Sequence, residues 1–339
     1  MKLTTPVEVP ANEISIQPTS KLTFAGSCFA QHIGEKAVRA GLDTHANPFG
    51  VLYNPLSITL AFDAMLGKMP LTDNLFFSSD GLWHCHLFDS GFSSADFDAC
   101  RAHVARTLAE EAVRFPHTDY LFLTFGTNRC YILRESRQPV GNCHKLPAAL
   151  FEERQLGISE IAETVGNTLQ ALWAISPNLK VVFTVSPYRY AKYGFHQSRL
   201  GKAVLLLAAD RICSAHPSRC FYFPAYEILL DELRDYRFYA PDLLHPSETA
   251  IDFIWERFSD AYFPDETKRL AKQWNEIEKA AEHRPLHPHS EARKQFVNRT
   301  INKLQLLTNH YPHLKSLPAY KQMLSKLKPQ TSHDELSEQ

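Results

Sequence analysis

Three short stretches hold the residue types that nucleophilic acyl chemistry needs. The first is Gly26-Ser27-Cys28-Phe29-Ala30, which follows a short apolar run and opens a helical pattern. A Ser or Cys placed there meets a helix N-terminus, whose free N–H groups stabilise an oxyanion or lower a thiol pKa. A capping serine beside a buried cysteine has the same appearance, so position alone leaves both readings open. The second is Asp242-Leu-Leu-His245-Pro246. A carboxylate three residues before a histidine can share its turn, fix the imidazole tautomer and leave the other ring nitrogen to act as base. By itself that pattern is equally a surface turn ended by proline. The third is Thr124-Phe125-Gly126-Thr127-Asn128, where an Asn just past a strand can donate to an oxyanion, or simply complete a polar turn.

Secondary-structure patterns place these stretches. Leu22 to Ala25 reads as a short strand, and Phe29 to Ala40 has helical spacing ended by Gly41. Tyr120 to Phe125 and Val181 to Val185 are nearly continuous apolar runs, as strands covered on both faces require. Ile158 to Ile175, Ser198 to Cys213 and Ile251 to Phe258 are helical, and Cys220 to Phe223 is a further strand. Alternation of this kind predicts a doubly wound α/β sheet. Between Pro55 and Thr118 the pattern is mixed. It has helices over Leu56 to Leu66 and Ala95 to Val113, and a hairpin turning at Asp80-Gly81. This stretch reads as an insertion, around residues 56–118, in a domain spanning 1–262. Residues 263–339 read as a helical appendage with helices over Asp265 to Glu282 and Glu291 to Leu307. The final QTSHDELSEQ is expected to be disordered.

Composition narrows the function. With 339 residues, the chain suggests about two units at roughly 150 residues per domain. Lys and Arg number 36 against 37 Asp and Glu, a balance that argues against holding nucleic acid through bulk charge. The basic C-terminal region reads as a solvated appendage. No apolar run approaches a membrane span, and the first residues lack a signal-like apolar segment. Seven scattered cysteines without CxxC pairs suit reduced thiols, so a cytoplasmic protein is expected. Trp83-His84-Cys85-His86 puts two histidines on one strand face, but sequence fixes no third ligand beside them. We read it as a strand face or pocket rim, and assign no metal and no cofactor. Arg234, Asp235 and Arg237 are expected to form a buried ion-pair network that supports the Asp242–His245 loop.

Taken together, the order of these stretches is that of a known family. The chain resembles the GSCFA family, affiliated with the SGNH/GDSL hydrolases, at Gly26 to Ala30 and well beyond. Asn47-Pro-Phe-Gly50, Tyr53-Asn54-Pro55, Asn142-Cys-His-Lys145, Val185-Ser-Pro187, Tyr226-Glu227 and Asp235-Tyr-Arg-Phe-Tyr239 all look like family signatures. They span roughly residues 20 to 260. With the strand–helix alternation, the resemblance implies a three-layer α/β/α sandwich with a parallel sheet.

It also implies a nucleophile after the first strand, an oxyanion hole completed by Gly50 and Asn128, and Asp242 and His245 as the remaining triad members. The usual Gly-Asp-Ser motif overlays Cys28 as nucleophile, and a one-residue slip makes it Ser27, so both are candidates. Asn142 and His144 are expected to line the substrate pocket. The expected reaction is hydrolysis or transfer of a small acyl group on a hydroxylated substrate such as a carbohydrate. Its rival is a non-catalytic binding protein that keeps the fold and pocket. No nucleic-acid or membrane partner is expected.

Overall fold

The central element is a five-stranded sheet whose order is set by parallel pairing. In the computed structural model, which describes residues 4–283 and 290–327, strands β1 (Lys21–Gly26), β2 (Asp43–Ala46), β3 (Phe76–Ser79), β4 (Leu82–Cys85) and β5 (Tyr120–Phe125) come first. They are followed by β6 (Arg129–Leu133), β7 (Pro139–Val140), β8 (Phe151–Gln155), β9 (Lys180–Val185) and β10 (Cys220–Tyr222). The central sheet has the order β10-β9-β5-β1-β2. β1 pairs with β5 from Leu22 opposite Tyr120 to Gly26 opposite Thr124, and β5 pairs with β9 in the same parallel sense.

Helices cover both faces. These are α1 (Cys28–Arg39), α2 (Pro55–Met65), α3 (Phe97–Arg114), α4 (Ile158–Ile175), α5 (Gly194–Ala215), the short α6 (Ala225–Glu227) and α7 (Glu248–Tyr262). Side chains alternate along a strand, so successive β5 residues serve opposite faces. Leu121, Leu123 and Phe125 share one core with Phe62 of α2, Leu169 of α4 and Leu205 of α5. On the other face Phe122 stacks on Phe24 with ring centroids 4.4 Å apart, and Phe258 of α7 packs against Phe122 at 5.2 Å. The chain therefore forms the α/β/α sandwich that its sequence predicts.

Two smaller sheets hang on this frame. β3 and β4 form the expected hairpin, with Asp80 and Gly81 both at positive φ, as its two-residue turn requires. β7, β6 and β8 form an antiparallel sheet that the sequence reading did not include.

The chain divides into two compact units. Of the described residues, the first comprises 4–14, 20–35 and 44–262; the second gathers 15–19 and 36–43 with 263–283 and 290–327. Within the second, α8 (Asp265–Glu282), α9 (Glu291–His310) and α10 (Pro318–Leu327) enclose a core of Leu270, Trp274, Ile277, Leu304 and Leu314. The expected disorder of QTSHDELSEQ falls outside the described residues.

Phe122→Ala would empty a ring-sized space between β5 and α7. It should cost about 3–5 kcal/mol, read as a lowered urea midpoint with an unchanged slope.

Candidate active site

In this strand order β1 and β5 are the neighbours from which the chain winds to opposite sides, and ligands bind beyond the carboxyl ends of such strands. The turn after β1 lies there. Gly26 has φ +138°, and a Cβ on it would come within 2.1 Å of the Thr124 carbonyl oxygen, so no other residue fits. Asn47 braces the turn from the loop after β2. Its side-chain oxygen accepts from the Gly26 N–H at 2.8 Å, and its amide donates to the Ser27 carbonyl at 3.3 Å.

Ser27 and Cys28 take different roles from adjacent positions. Ser27 is buried at 2% exposure, and its Oγ accepts from the Phe29 N–H at 3.3 Å, the contact of a helix N-cap. Cys28, first residue of α1, is half-buried. Burial pushes its thiol up, against weaker downward pulls from the Phe29 and Cys28 N–H groups and the charge of Lys202. The thiol is therefore protonated at neutral pH.

Both residues line a cleft of about 610 Å³ together with Gly126, Thr127, Asn142 and His245. Tyr53, Tyr131, Tyr188 and Tyr190 supply much of its wall. The β6–β8 sheet contributes a charged edge. Glu153 accepts from the Tyr131 hydroxyl at 3.0 Å and also pairs with Arg129 and Tyr193. Burial pushes its carboxyl up, but the bonds from Tyr193, Arg129 and Tyr131 outweigh that and hold it below the usual range.

His245 reaches the cleft from the loop before α7. Asp242 holds it, with an oxygen 2.5 Å from Nδ1, while the other oxygen accepts from the N–H groups of Leu244 and His245 at 2.9 and 3.0 Å. The His245 side chain and these N–H groups hold the Asp242 carboxyl down at about 2. Tyr188 packs against the imidazole at a tilt of 40°, with centroids 4.3 Å apart. Among the described residues His245 Nε2 has no protein hydrogen-bond partner, and none joins His245 to Ser27 or Cys28.

The structure thus brings Ser27, Cys28, Asn142 and His245 to one cleft, with Asp242 behind His245. Three other candidates stand elsewhere. Gly50 packs against the Asp89 carboxylate, which also accepts from the Val51 N–H; the second block reaches the cleft through Tyr53 and Asn54 instead. Asn128 is buried, and its amide donates to the Leu156 carbonyl at 3.1 Å. His144 is buried away from the cleft, its Nε2 2.9 Å from the Cys85 carbonyl oxygen and its Nδ1 3.2 Å from Ser90 Oγ.

His84, His86 and Phe77 stack as a strand face, with Phe77 4.2 Å from His86. Among the described residues no group of three or more His, Cys, Asp or Glu is arranged for a metal ion. The expected buried network of Arg234, Asp235 and Arg237 is instead a single exposed pair, Arg237 with Asp235 at 3.9 Å. The Asp242–His245 loop is supported by Arg189, which donates from Nη1 to the Leu243 carbonyl and from its N–H to the Leu244 carbonyl, both at 3.0 Å.

One residue of the site gave no sequence signal. Lys202 lies on α5 at 3% exposure, and its Nζ donates to the carbonyls of Gly126 and Ser186, both at 2.7 Å. It ties together the ends of β5 and β9 under the cleft. Burial without a carboxylate partner pushes its pKa down to about 7. A neutral amine has two N–H bonds, enough for both carbonyls. Because the unfolded chain holds that proton up to about pH 10.4, folding releases it between the two values, and stability rises with pH across that window. Urea midpoints at pH 6.5 and pH 9 should show this rise in the wild type and a smaller one in Lys202→Met.

Comparisons with known proteins bear on this geometry. No curated protein matches the chain. Among solved structures, an acetyl xylan esterase from the rumen bacterium Butyrivibrio proteoclasticus is similar over 75% of this chain and 64% of its own. The identity is 11% and the TM-score 0.37, a likeness too distant to carry functional argument, and the match spans less than two thirds of that protein. No described helix is long and apolar enough to cross a membrane. The model of the GSCFA family matches residues 21–258, which include every cleft residue named above, and that of the GSCFA domain protein C-terminal domain matches residues 274–328. The chain belongs to the GSCFA family.

Proposed function

We propose that the protein hydrolyses a small acyl ester of a hydroxylated substrate, with Cys28 as nucleophile, His245 as base and Asp242 as its orienting carboxylate. The observation that carries this reading is the shared cleft. Cys28 opens into it at a helix N-terminus, while His245, held through Nδ1, keeps Nε2 free. Ser27 is the lesser candidate, because its hydroxyl is buried as the helix cap.

The raised thiol defines how the step runs. A protonated thiol cannot rest as half of a thiolate–imidazolium pair, so His245 Nε2 removes the proton as Cys28 Sγ attacks the acyl carbon. The carbonyl π electrons move onto oxygen. The Cys28 N–H, at the first helical position and bonded to no other described residue, would stabilise that oxyanion. The N–H groups of Gly126 and Thr127 are already committed to the Tyr53 carbonyl at 2.8 and 2.9 Å. Collapse breaks the ester C–O bond, and the imidazolium returns its proton to the departing alcohol. Water then attacks the thioester, giving up its proton to His245, and the acid leaves as the Cys28 thiol re-forms. An alcohol in place of that water would give transfer.

The four tyrosines and Asn142 suit a sugar, whose ring faces pack on aromatic rings while its hydroxyls take hydrogen bonds. A binding protein without turnover is the second reading, favoured by the missing hydrogen bond between His245 and either candidate nucleophile.

Initial rates on a chromogenic acetate separate these readings. His245→Ala and Cys28→Ala should each lose about 10²–10⁴-fold in kcat. Ser27→Ala should retain turnover and lose about 0.5–2 kcal/mol of stability as a missing cap. Asp242 stays ionised above about pH 4, so an acid limb at higher pH belongs to another group. Equal inertness of wild type and His245→Ala across varied esters supports the binding reading, and full activity in Cys28→Ala refutes the assigned nucleophile.

A further inference from the structure

Beside the cleft is a second cavity of about 370 Å³, lined by Arg189, Arg199, Arg234, Tyr226, Tyr236 and Tyr239. A lobe of about 180 Å³ shares Arg189, Arg199 and Tyr226 and extends it to Tyr188, the ring that packs on His245 and also walls the cleft. Asp231 is the single carboxylate residue in this lining, so three guanidiniums leave a formal net charge of +2.

Those charges are not equivalent. Arg189 is committed: it holds the Leu243 carbonyl, and its guanidinium lies over the Phe195 and Tyr239 rings at 4.4 and 5.2 Å. The guanidiniums of Arg199 and Arg234 make no ion pair and no hydrogen bond among the described residues. Arg237, next in sequence to the cavity's tyrosines, differs in lying outside the lining and pairing with Asp235. Burial pushes the Tyr226 and Tyr239 hydroxyls up, so both stay protonated and able to donate. Two unpaired guanidinium forks, a third already braced, and phenolic O–H donors form an acceptor for an anion rich in oxygens. A phosphate dianion, with three terminal oxygens, matches both that charge and that donor set better than a carboxylate does. The tyrosine rings would take the uncharged part of the ligand.

We propose that this cavity binds a phosphate monoester. Its phosphate lies between Arg199 and Arg234 and its organic group against the tyrosines. The site stands on its own cavity and needs no turnover in the cleft. The phosphate is carried either by a separate ligand or by the substrate itself, reaching past Tyr188 from the cleft. Arg189 and Tyr188 connect both possibilities to the Asp242–His245 loop.

Isothermal titration of the full chain with phenyl phosphate tests the site. Binding should saturate at one ligand per chain and be tighter than that of inorganic phosphate, which lacks a ring to stack. The Arg199→Gln, Arg234→Gln double variant should weaken binding at least about tenfold, the scale of one lost charge-assisted hydrogen bond. Both side chains are exposed, so the fold is retained, and thermal unfolding of the variant checks that. Arg237→Gln removes one positive charge outside the cavity and should change affinity less than about twofold. Absent saturable binding, or equal weakening in Arg237→Gln and the double variant, overturns the proposal. An acetylated sugar phosphate then separates the two sources. Faster turnover than its unphosphorylated counterpart, lost in the double variant, places the phosphate on the substrate. Displacement of phenyl phosphate by that compound with no gain in turnover assigns a separate ligand.

Discussion

The site rests on one close approach, that of the chain at Gly26 to the carbonyl of Thr124. A Cβ at Gly26 would lie 2.1 Å from that oxygen. Only glycine lets β1 stay in register with β5 to its last residue and then turn at φ +138° into α1. That turn delivers Cys28 to the mouth of the sheet at the N-terminus of α1. Asn47 fixes the same turn by binding the Gly26 N–H and the Ser27 carbonyl. The proposed nucleophile is therefore positioned by the backbone geometry of this turn.

From that point the other parts follow the strand ends. Gly126 and Ser186 directly follow β5 and β9, and the buried Lys202 binds both carbonyls. A lysine with no carboxylate partner is costly to bury charged, and that burial pushes Lys202 down to about 7, where the neutral form is accessible. His245 comes from a loop that is itself exposed. Its placement depends on Asp242, Tyr188 and Arg189 rather than on burial. One half of the site thus belongs to the buried sheet, and the other to an exposed loop held by hydrogen bonds.

How much of this was legible in sequence varied with burial. Tyr120–Phe125 and Ile158–Ile175 match their patterns residue for residue, because both elements are buried enough for apolar spacing to mark them. The β6–β8 sheet was not legible. Its strands are half-exposed, and Arg129, Glu153 and Arg154 break any apolar run, though Arg129 and Glu153 form the charged edge of the cleft. Lys202 was invisible for the opposite reason: on an amphipathic helix a lysine reads as solvated. Gly50 is a candidate through the family resemblance alone, and Asn128 through both its place after a strand and that resemblance. Their neighbours Tyr53 and Thr127 line the cleft, while Gly50 and Asn128 pack behind it against Asp89 and Leu156. A motif locates the loop that meets the cleft, but side-chain direction within that loop is a matter of three-dimensional packing.

The assignment of chemistry to Cys28 rather than Ser27 is the central claim, and the two are adjacent, so it calls for a measurement with single-residue resolution. Acid quenching during turnover of a chromogenic acetate, followed by fragmentation mass spectrometry of the peptide holding both residues, reads it directly. Acetyl should be found on Cys28 as a thioester that neutral hydroxylamine removes. Acetyl on Ser27, stable to that treatment, would contradict the account.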